Sequence, residues 1–200
     1  MEYMQDRLVF LIGSPRSGST LLSRVLGAHP EIFAPEEPHL ITPMAHLGFY
    51  DSVESAPYDP IITRAAARAL VSALPDGEAE YLDALRAYSD AIYAGLFKNA
   101  GEASLLLDKT PAYALSLDFL ARLYPDARFI VLTRHPIAVW SSFVDSFFDG
   151  DDLVAHEHNP LLERYVPAIA RFIRTTSSNI HRVQYENLVQ EPEENARQIC

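Results

Sequence analysis

The residues with the most evident chemistry lie in one glycine-bounded loop within Arg7–Leu22, which reads RLVFLIGSPRSGSTLL. The apolar run Leu8–Ile12 is followed by Gly13, small residues and Arg16, and a helix-like segment opens at about Gly18. Where a buried strand enters such a turn and a helix follows, successive backbone N–H groups converge and the helix dipole adds positive potential. The loop therefore predicts a cradle for a phosphate-like group.

The same loop departs from the motif of nucleotide triphosphatases at its cation. Gly13 and Gly18 have the spacing of G-x-x-x-x-G-K-[ST], but Ser19 stands where the lysine belongs, and Arg16 is the only cation in the loop. Such a site can hold a phosphate-like group, yet it lacks the lysine that bridges the β- and γ-phosphates of ATP. The alternative is an ordinary strand–turn–helix with a surface arginine.

A second anion-binding element is predicted at Arg128–Phe143, which reads RFIVLTRHPIAVWSSF. The strand-like run Phe129–Thr133 ends at Arg134, and Ser142 follows eight positions later. An arginine can make a bidentate contact to phosphate. Because Pro136 suits the first turn of a helix, Ser142 should lie about two turns into it.

Carboxylate, imidazole and ammonium groups that could move protons or stabilise charge occur in two further places. Glu36, Glu37 and His39 lie in a proline-rich loop, and Lys109 follows a short apolar run and Asp108. A group-transfer reaction needs a base and cations of this kind. Each has a plainer interpretation: solvated carboxylates, a histidine held by a backbone carbonyl, and a lysine that is exposed or paired with Asp108.

The elements that must position these residues alternate along the chain. Continuous apolar strands alternating with helices predict an α/β fold with a parallel sheet covered on both faces. The segments 29–43 and 149–159 are predicted to be loops, the first because its prolines forbid a long helix. The predicted strands are Leu8–Ile12, Leu105–Leu107, Phe129–Thr133 and a segment near His181–Tyr185. The predicted helices are Gly18–Gly27, Ile61–Leu74, Glu78–Phe97, Leu115–Leu123, Pro136–Phe148, Leu161–Thr175 and Pro192 onward.

Composition limits the class of protein. The 200 residues are 48% hydrophobic and 22% charged, which fits one α/β domain with a sizeable core. The net charge of −11 argues against general nucleic-acid binding. The single Cys200 excludes an intramolecular disulfide and a cysteine-cluster metal site. His156 and His158 lack a third ligand at metal-site spacing, so we predict no metal.

Location and extent are predicted from the same features. No apolar run approaches the roughly 20 residues that span a bilayer, and the polar, acidic segment Met1–Asp6 is no cleavable signal. With one cysteine, the chain fits a reducing cytoplasm. The last predicted helix is still running at Cys200, without a terminating glycine or proline. We therefore predict one domain over residues 1–200 that lacks its C-terminal part.

Taken together, the two anion-binding segments resemble the sulfotransferases that use 3′-phosphoadenosine 5′-phosphosulfate (PAPS). The resemblance implies a P-loop-like three-layer αβα domain with PAPS as the sulfuryl donor. It also implies that Arg134 and Ser142 bind the 3′-phosphate. The implied 5′-phosphosulfate loop consists of Pro15, Arg16, Ser17, Gly18, Ser19 and Thr20.

The base and the acceptor side carry a second resemblance, to heparan-type and bacterial polyketide-associated sulfotransferases. Glu37-Pro38-His39 matches their Glu-x-His element, and Lys109 opens the match to Lys-[ST]-Pro-x-Tyr. The resemblance implies that Glu37 is the base, that His39 orients the acceptor, and that Lys109 and Arg16 stabilise the sulfuryl oxygens. The Thr-His motif of the enzymes acting on phenols and steroids is not found at the expected place.

The sequence therefore predicts in-line transfer of a sulfuryl group to a hydroxyl without a metal, with Glu36, His39 and Asp108 left open as alternative bases. The rival interpretations are a P-loop kinase acting on a small molecule and a truncated, non-catalytic nucleotide-binding domain. The expected acceptor-facing segments, 34–50 and 149–159, contain no Lys or Arg. This predicts a small hydrophobic or carrier-tethered hydroxyl acceptor in preference to a polyanionic glycan.

Overall fold

The computed structural model describes residues 4–47, 49–50 and 59–200. Residues 1–3 of the polar, acidic segment Met1–Asp6, and residue 48 of the predicted acceptor-facing segment 34–50, lie outside this part. The strands are β1 Leu8–Ile12, β2 Ile32–Phe33, β3 Leu105–Asp108, β4 Arg128–Thr133 and β5 Asn179–Gln184. The helices are α1 Ser19–Gly27, α2 Ile41–Ala45, α3 Pro60–Ala73, α4 Glu78–Phe97, α5 Leu117–Leu123, α6 Pro136–Phe147, α7 Asp152–His158, α8 Leu161–Thr175, α9 Tyr185–Gln190 and α10 Pro192–Ile199, with 3-10 turns at Gln5–Arg7 and Pro111–Leu115.

The five described strands form one sheet in the order β2-β3-β1-β4-β5, and every neighbouring pair is parallel. Phe10 at the centre of β1 is in register with Asp108 on one side and Phe129 on the other. Because the strands are parallel, they all end at the same side of the sheet, which we call the carboxyl edge. This arrangement gathers at one edge the loops that follow all five strands.

Helices cover both faces of the sheet, because successive strand side chains point to opposite sides. Phe10 and Phe129 pack with Tyr93 of α4 and Phe172 of α8 on one face. Leu11 lies in the core of the other face, which α1 and α9 cover through the buried side chains Leu22, Leu26 and Leu188. The predicted three-layer α/β architecture with a central parallel sheet is confirmed.

The prediction of a loop over 149–159 is wrong, because α7 occupies Asp152–His158. The Asp151 carboxylate caps this helix by accepting hydrogen bonds from the backbone N–H groups of Leu153 (3.1 Å) and Val154 (3.0 Å). A capping aspartate before the helix and histidines in the last turn both suit the helix dipole. The predicted loop 29–43 contains the short strand β2 and the start of α2, and these two elements and the helix α9 were also missed. In the part of the chain that is described, no helix has the length and apolar character needed to cross a membrane.

Candidate active site

The predicted cradle is the turn between β1 and α1, residues 13–18, here called the anion loop. Two of its residues have left-handed backbone conformations, Arg16 at φ 65° and Gly18 at φ 93°. Gly18 lies immediately before α1, where an added Cβ atom would overlap Cδ2 of the Tyr185 ring. Glycine is therefore required at this position both by the backbone conformation and by the ring packed against it.

Ser17 carries a buried hydroxyl that has no hydrogen-bond partner among the described residues. Its side chain packs on Gly13, where a Cβ atom would lie 2.6 Å from Ser17 Oγ. Buried polar atoms are rarely left unpaired, so an orphan hydroxyl inside such a loop fits a site completed by an anionic ligand. The loop residues thus suit a phosphate or sulfate group.

Arg16, Arg134 and Ser142 are brought together where the anion loop meets α6. Arg16 donates from Nε to Ser142 Oγ (3.1 Å) and from a terminal nitrogen to Ser146 Oγ (2.8 Å). Arg134 donates to the carbonyl oxygen of Arg16 (2.8 Å). The cluster offers two guanidinium groups and two hydroxyls beside the loop. Phosphate oxygens accept hydrogen bonds from groups of these kinds.

Tyr185 and Glu186, at the start of α9, complete this side of the site, and neither was predicted from the sequence. The guanidinium carbon of Arg134 lies 4.4 Å from the centre of the Tyr185 ring. Glu186 Oε1 accepts from the backbone N–H of His135 (2.9 Å), and this hydrogen bond lowers the pKa of the Glu186 carboxyl. Their position directly after β5 could have indicated them, because residues that follow the strands of a parallel sheet lie at its carboxyl edge.

A second cluster, on the other side of the anion loop, joins Lys109, Glu37 and His39. Lys109 follows β3, is 7% exposed, and forms an ion pair with Glu37 Oε1. Its Nζ also donates to Thr20 Oγ1 in the first turn of α1, at 3.4 Å. His39 Nε2 lies 3.3 Å from Glu37 Oε2. The carboxylate of Glu37 is thus held between a lysine and a histidine next to the anion loop.

Glu36 makes no hydrogen bond or ion pair with any residue in the described ranges, in contrast to its neighbour Glu37. Both border a cleft of about 550 Å³ beside the anion loop. The lining also contains Arg24 of α1, a cation that the predicted acceptor-facing segments did not include. The described residues that line it are Thr20, Ser23, Arg24, Ala34, Pro35, Glu36, Glu37, His39 and Lys109.

Asp108, at the end of β3, is fully buried and accepts hydrogen bonds from three hydroxyls. Tyr93 and Tyr113 donate to Oδ2 (2.6 and 3.0 Å), and Thr110 donates to Oδ1 (3.1 Å). Burial raises the pKa of Asp108 to about 6, while the three hydroxyl donors and nearby His39 act in the opposite direction. A carboxylate whose oxygens are used in this way is poorly suited to the metal-binding role that an aspartate after a strand has in nucleotide triphosphatases. Lys109, for its part, pairs with Glu37 and not with Asp108.

The remaining candidates lie outside these two clusters. His156 Nε2 is 3.9 Å from Glu163 Oε1, and within the described ranges no group of three or more His, Cys, Asp or Glu side chains could hold a metal ion. The helical spacing of Trp140 and Phe143 predicts core positions in α6. Phe143 is buried in the core, and Trp140 Nε1 donates to Asp152 Oδ1 (2.6 Å). These aromatic residues thus have structural partners within the fold.

A parallel sheet with an anion loop after β1 and a charged cluster on each side of that loop defines a P-loop-like α/β protein. The family profile described as "Sulfotransferase family" matches residues 9–200. The chain belongs to the sulfotransferase family, which confirms the resemblance predicted from its motifs.

Individual relatives agree with this assignment. The nodulation protein NoeE of Sinorhizobium fredii (strain NBRC 101917 / NGR234) is 38% identical over 135 residues, which are 68% of this chain and 30% of that protein. Mouse protein-tyrosine sulfotransferase 1 is 33% identical over 128 residues, 64% of this chain and 31% of that protein. The chain spans less than two thirds of the length of these relatives.

Solved structures of similar fold include two sulfotransferase domains. The domain from the curacin biosynthetic pathway has a TM-score of 0.60 and 25% identity, over 96% of this chain and 71% of that one. The domain from the Synechococcus PCC 7002 olefin synthase has a TM-score of 0.57 and 28% identity, with the same coverage of both chains.

Proposed function

We propose that this protein transfers a sulfuryl group from PAPS to the hydroxyl of a small or carrier-tethered acceptor. The observation that carries the proposal is the position of Lys109, whose Nζ contacts both Thr20 beside the anion loop and the carboxylate of Glu37. One cation thereby connects an anion cradle to a base. This is the arrangement needed to move a negatively charged group onto a hydroxyl.

The residues of the anion loop and α6 would hold the donor, and the unpaired Ser17 hydroxyl supports this fit. Arg16 and the backbone amides of residues 17–20 would bind the 5′-phosphosulfate, with Pro15 shaping the turn. Arg134 and Ser142 would bind the 3′-phosphate. The donor supplies an electrophilic sulfur and leaves as adenosine 3′,5′-bisphosphate.

The acceptor side would work through Glu37. Its carboxylate takes the proton of the acceptor hydroxyl as the new oxygen–sulfur bond forms and the bond from sulfur to the phosphate oxygen breaks. Lys109 and Arg16 stabilise the charge on the sulfuryl oxygens and on the leaving phosphate. His39, 3.3 Å from the second carboxylate oxygen, orients Glu37 and the acceptor. No step in this scheme requires a metal.

For the acceptor, we propose a small or carrier-tethered metabolite. One support is the cleft beside Glu37, which is partly apolar. The other is the origin of the two similar solved domains, a biosynthetic pathway and an olefin synthase. A second candidate, a tyrosine hydroxyl of a protein, is favoured by the names of the tyrosine sulfotransferase relatives.

We also propose that the chain is a single domain and that the protein is cytoplasmic. The family match over residues 9–200 supports the single domain, and the single cysteine supports the location.

Donor binding can be tested by thermal unfolding with adenosine 3′,5′-bisphosphate and with AMP. A ligand that binds only the folded protein raises its melting temperature, and the bisphosphate should act more strongly because AMP lacks the 3′-phosphate. Arg134→Ala should weaken bisphosphate binding by about 1.5–3 kcal/mol, while the exposed, distant Arg197→Ala should not change it. Equal affinity for the two nucleotides would contradict the assignment of Arg134 and Ser142.

Transfer itself can be tested with labelled PAPS and a panel of hydroxy-acyl, sterol-like, tyrosyl-peptide and heparan-type acceptors. We expect label on a small or carrier-tethered acceptor and no effect of chelators. Label on the peptides alone would favour the protein-tyrosine acceptor. Phosphoryl transfer from ATP and Mg²⁺ would favour the kinase, and tight donor binding without any product would favour a non-catalytic domain.

A further inference from the structure

Asp108 is linked by hydrogen bonds to the loop that carries the proposed base, residues 34–40, here called the Glu37 loop. Thr110 and Tyr113, which donate to Asp108, also accept from the backbone at the end of this loop. Thr110 Oγ1 accepts from the N–H of His39 (3.4 Å), and the Tyr113 hydroxyl accepts from the N–H of Ile41 (3.2 Å). Two chains of hydrogen bonds therefore run from one carboxylate to two backbone amides.

The direction of each chain follows from the chemistry of a hydroxyl group. A hydroxyl has one proton to donate and two lone pairs that accept. While Thr110 and Tyr113 donate their protons to the ionised Asp108, their lone pairs remain free to accept from His39 and Ile41. An amide side chain at position 108 would present an N–H₂ group to the hydroxyl oxygen of Thr110 or Tyr113. This would disturb the direction in which the hydrogen bonds of that chain are donated.

Burial makes this arrangement rigid. Asp108, Thr110, Tyr113 and Ile41 are all fully buried. Hydrogen bonds are stronger in such surroundings, and buried groups without partners are costly. The supported backbone is an unusual one, since His39 has a φ of 51°. The conformation of the Glu37 loop near His39 is thus supported by its hydrogen bonds to Thr110 and Tyr113.

We propose that Asp108 is a positioning residue, which fixes the Glu37 loop through Thr110 and Tyr113 and so holds Glu37 and His39 beside Lys109. This proposal rests on the proposed function for its catalytic consequence, but the mechanical link can be measured without any substrate. Asp108 touches neither donor nor acceptor in this scheme. It acts by keeping the base within reach of the acceptor hydroxyl, where small displacements have large effects on rate.

The decisive comparison uses Thr110→Val and Thr110→Ser, because valine keeps the shape of threonine but lacks the hydroxyl that serine retains. Amide hydrogen exchange in the ligand-free protein reports whether the loop has loosened. In Thr110→Val we expect exchange at His39 to be roughly fivefold faster, with serine close to wild type. Asp108→Asn should speed exchange at both His39 and Ile41, and Tyr113→Phe at Ile41 alone.

Tyr93→Phe is the matched control, since Tyr93 contacts Asp108 but not the Glu37 loop. In Tyr93→Phe, amide hydrogen exchange at His39 and Ile41 should stay near the wild-type rates. In turnover assays Thr110→Val should lower kcat about tenfold and leave bisphosphate affinity unchanged, with rescue by Thr110→Ser.

Two results would overturn the proposal: unchanged exchange at His39 in folded Thr110→Val, or equal loss of activity in the valine and serine variants. Failure of the proposed function gives a different pattern. In that case the exchange rates change as expected while no acceptor receives a sulfuryl group.

Discussion

Sequence motifs of phosphate-binding loops usually include a lysine within the loop itself. Ser19 stands in that place here, and the cation arrives instead from the end of β3 to contact Thr20. The same ammonium group pairs with Glu37, so one buried side chain serves two neighbours. Removing it would leave Glu37 beside the anion loop without its counter-charge.

Glu37 and Glu36 form a matched pair for testing the base. Glu37→Gln retains size and hydrogen-bonding capacity but removes basicity, so turnover should fall about 10²–10⁴-fold with little change in donor affinity. Glu36→Gln should have almost no effect, because Glu36 has no partner among the described residues. The measurement is kcat together with the affinity for adenosine 3′,5′-bisphosphate. Reversed results for the two variants would move the base to Glu36.

Gly18 can be tested against Gly150, since both have positive φ values, 93° and 89°. A Cβ at Gly150 meets nothing within 4 Å, whereas one at Gly18 would overlap the Tyr185 ring. Gly150→Ala should lower the free energy of unfolding by about 1–2 kcal/mol, the cost of a left-handed residue with a side chain. Gly18→Ala should cost more and should also reduce the stabilisation by the bisphosphate, as thermal unfolding with and without ligand would show. Similar effects of the two substitutions would mean that the contact with Tyr185 is unimportant.

Most elements were predictable from the sequence, including the four-residue strand β3, whereas β2, α2, α7 and α9 were not. β1 and α4 have the predicted bounds because a continuous apolar run and a long helical period are strong local signals. β2 has two residues and exists only because it pairs with β3. α7 was missed although Asp151 is a suitable N-cap, because an acidic run of this kind also favours a solvated loop.

The cap of α7 makes a direct prediction. Asp151→Ala should lower the free energy of unfolding by about 1 kcal/mol, because two backbone N–H groups lose their acceptor. Asp151→Asn should be close to wild type, since asparagine is an equally good cap. Chemical denaturation of the three proteins gives the comparison. If alanine and asparagine behave alike, the helix is held by its packing on α6 and not by the cap.

The candidate site was predictable only as far as its motifs reach. The resemblance supplied Arg16, Arg134, Glu37 and Lys109, and the structure brings them to one edge of the sheet. Tyr185 was missed, because its contact with Gly18 joins residues far apart in the chain. No local pattern reports such a contact before the strand order is known.

For the molecule as a whole, Asp108 links stability to pH. Its pKa is raised from 3.8 to about 6 in the folded protein, so the folded state binds this proton more tightly than the unfolded state. Its contribution is therefore fully present below about pH 4 and is lost as the pH rises through 6. Relative to Asp108→Asn, the free energy of unfolding should fall by on the order of 2–4 kcal/mol across this window.

Denaturant titrations of both proteins at pH 4 and pH 7 would measure this difference. The effects of the other carboxylates cancel in the comparison, because both proteins carry them. A difference that does not change with pH, or one that grows as the pH rises, would contradict the raised pKa of Asp108.

All five strands end at one edge of the sheet. For this reason, binding of adenosine 3′,5′-bisphosphate also tests whether the whole sheet is folded and intact. The proposed ligand contacts come from residues 15–20, 109, 134 and 142, which no short fragment contains together. A partly folded chain, or one cleaved between β3 and β4 whose pieces have separated, should lose adenosine 3′,5′-bisphosphate binding outright and not by degrees. Bound nucleotide should correspondingly slow proteolysis throughout the sheet, including at strands that it does not touch.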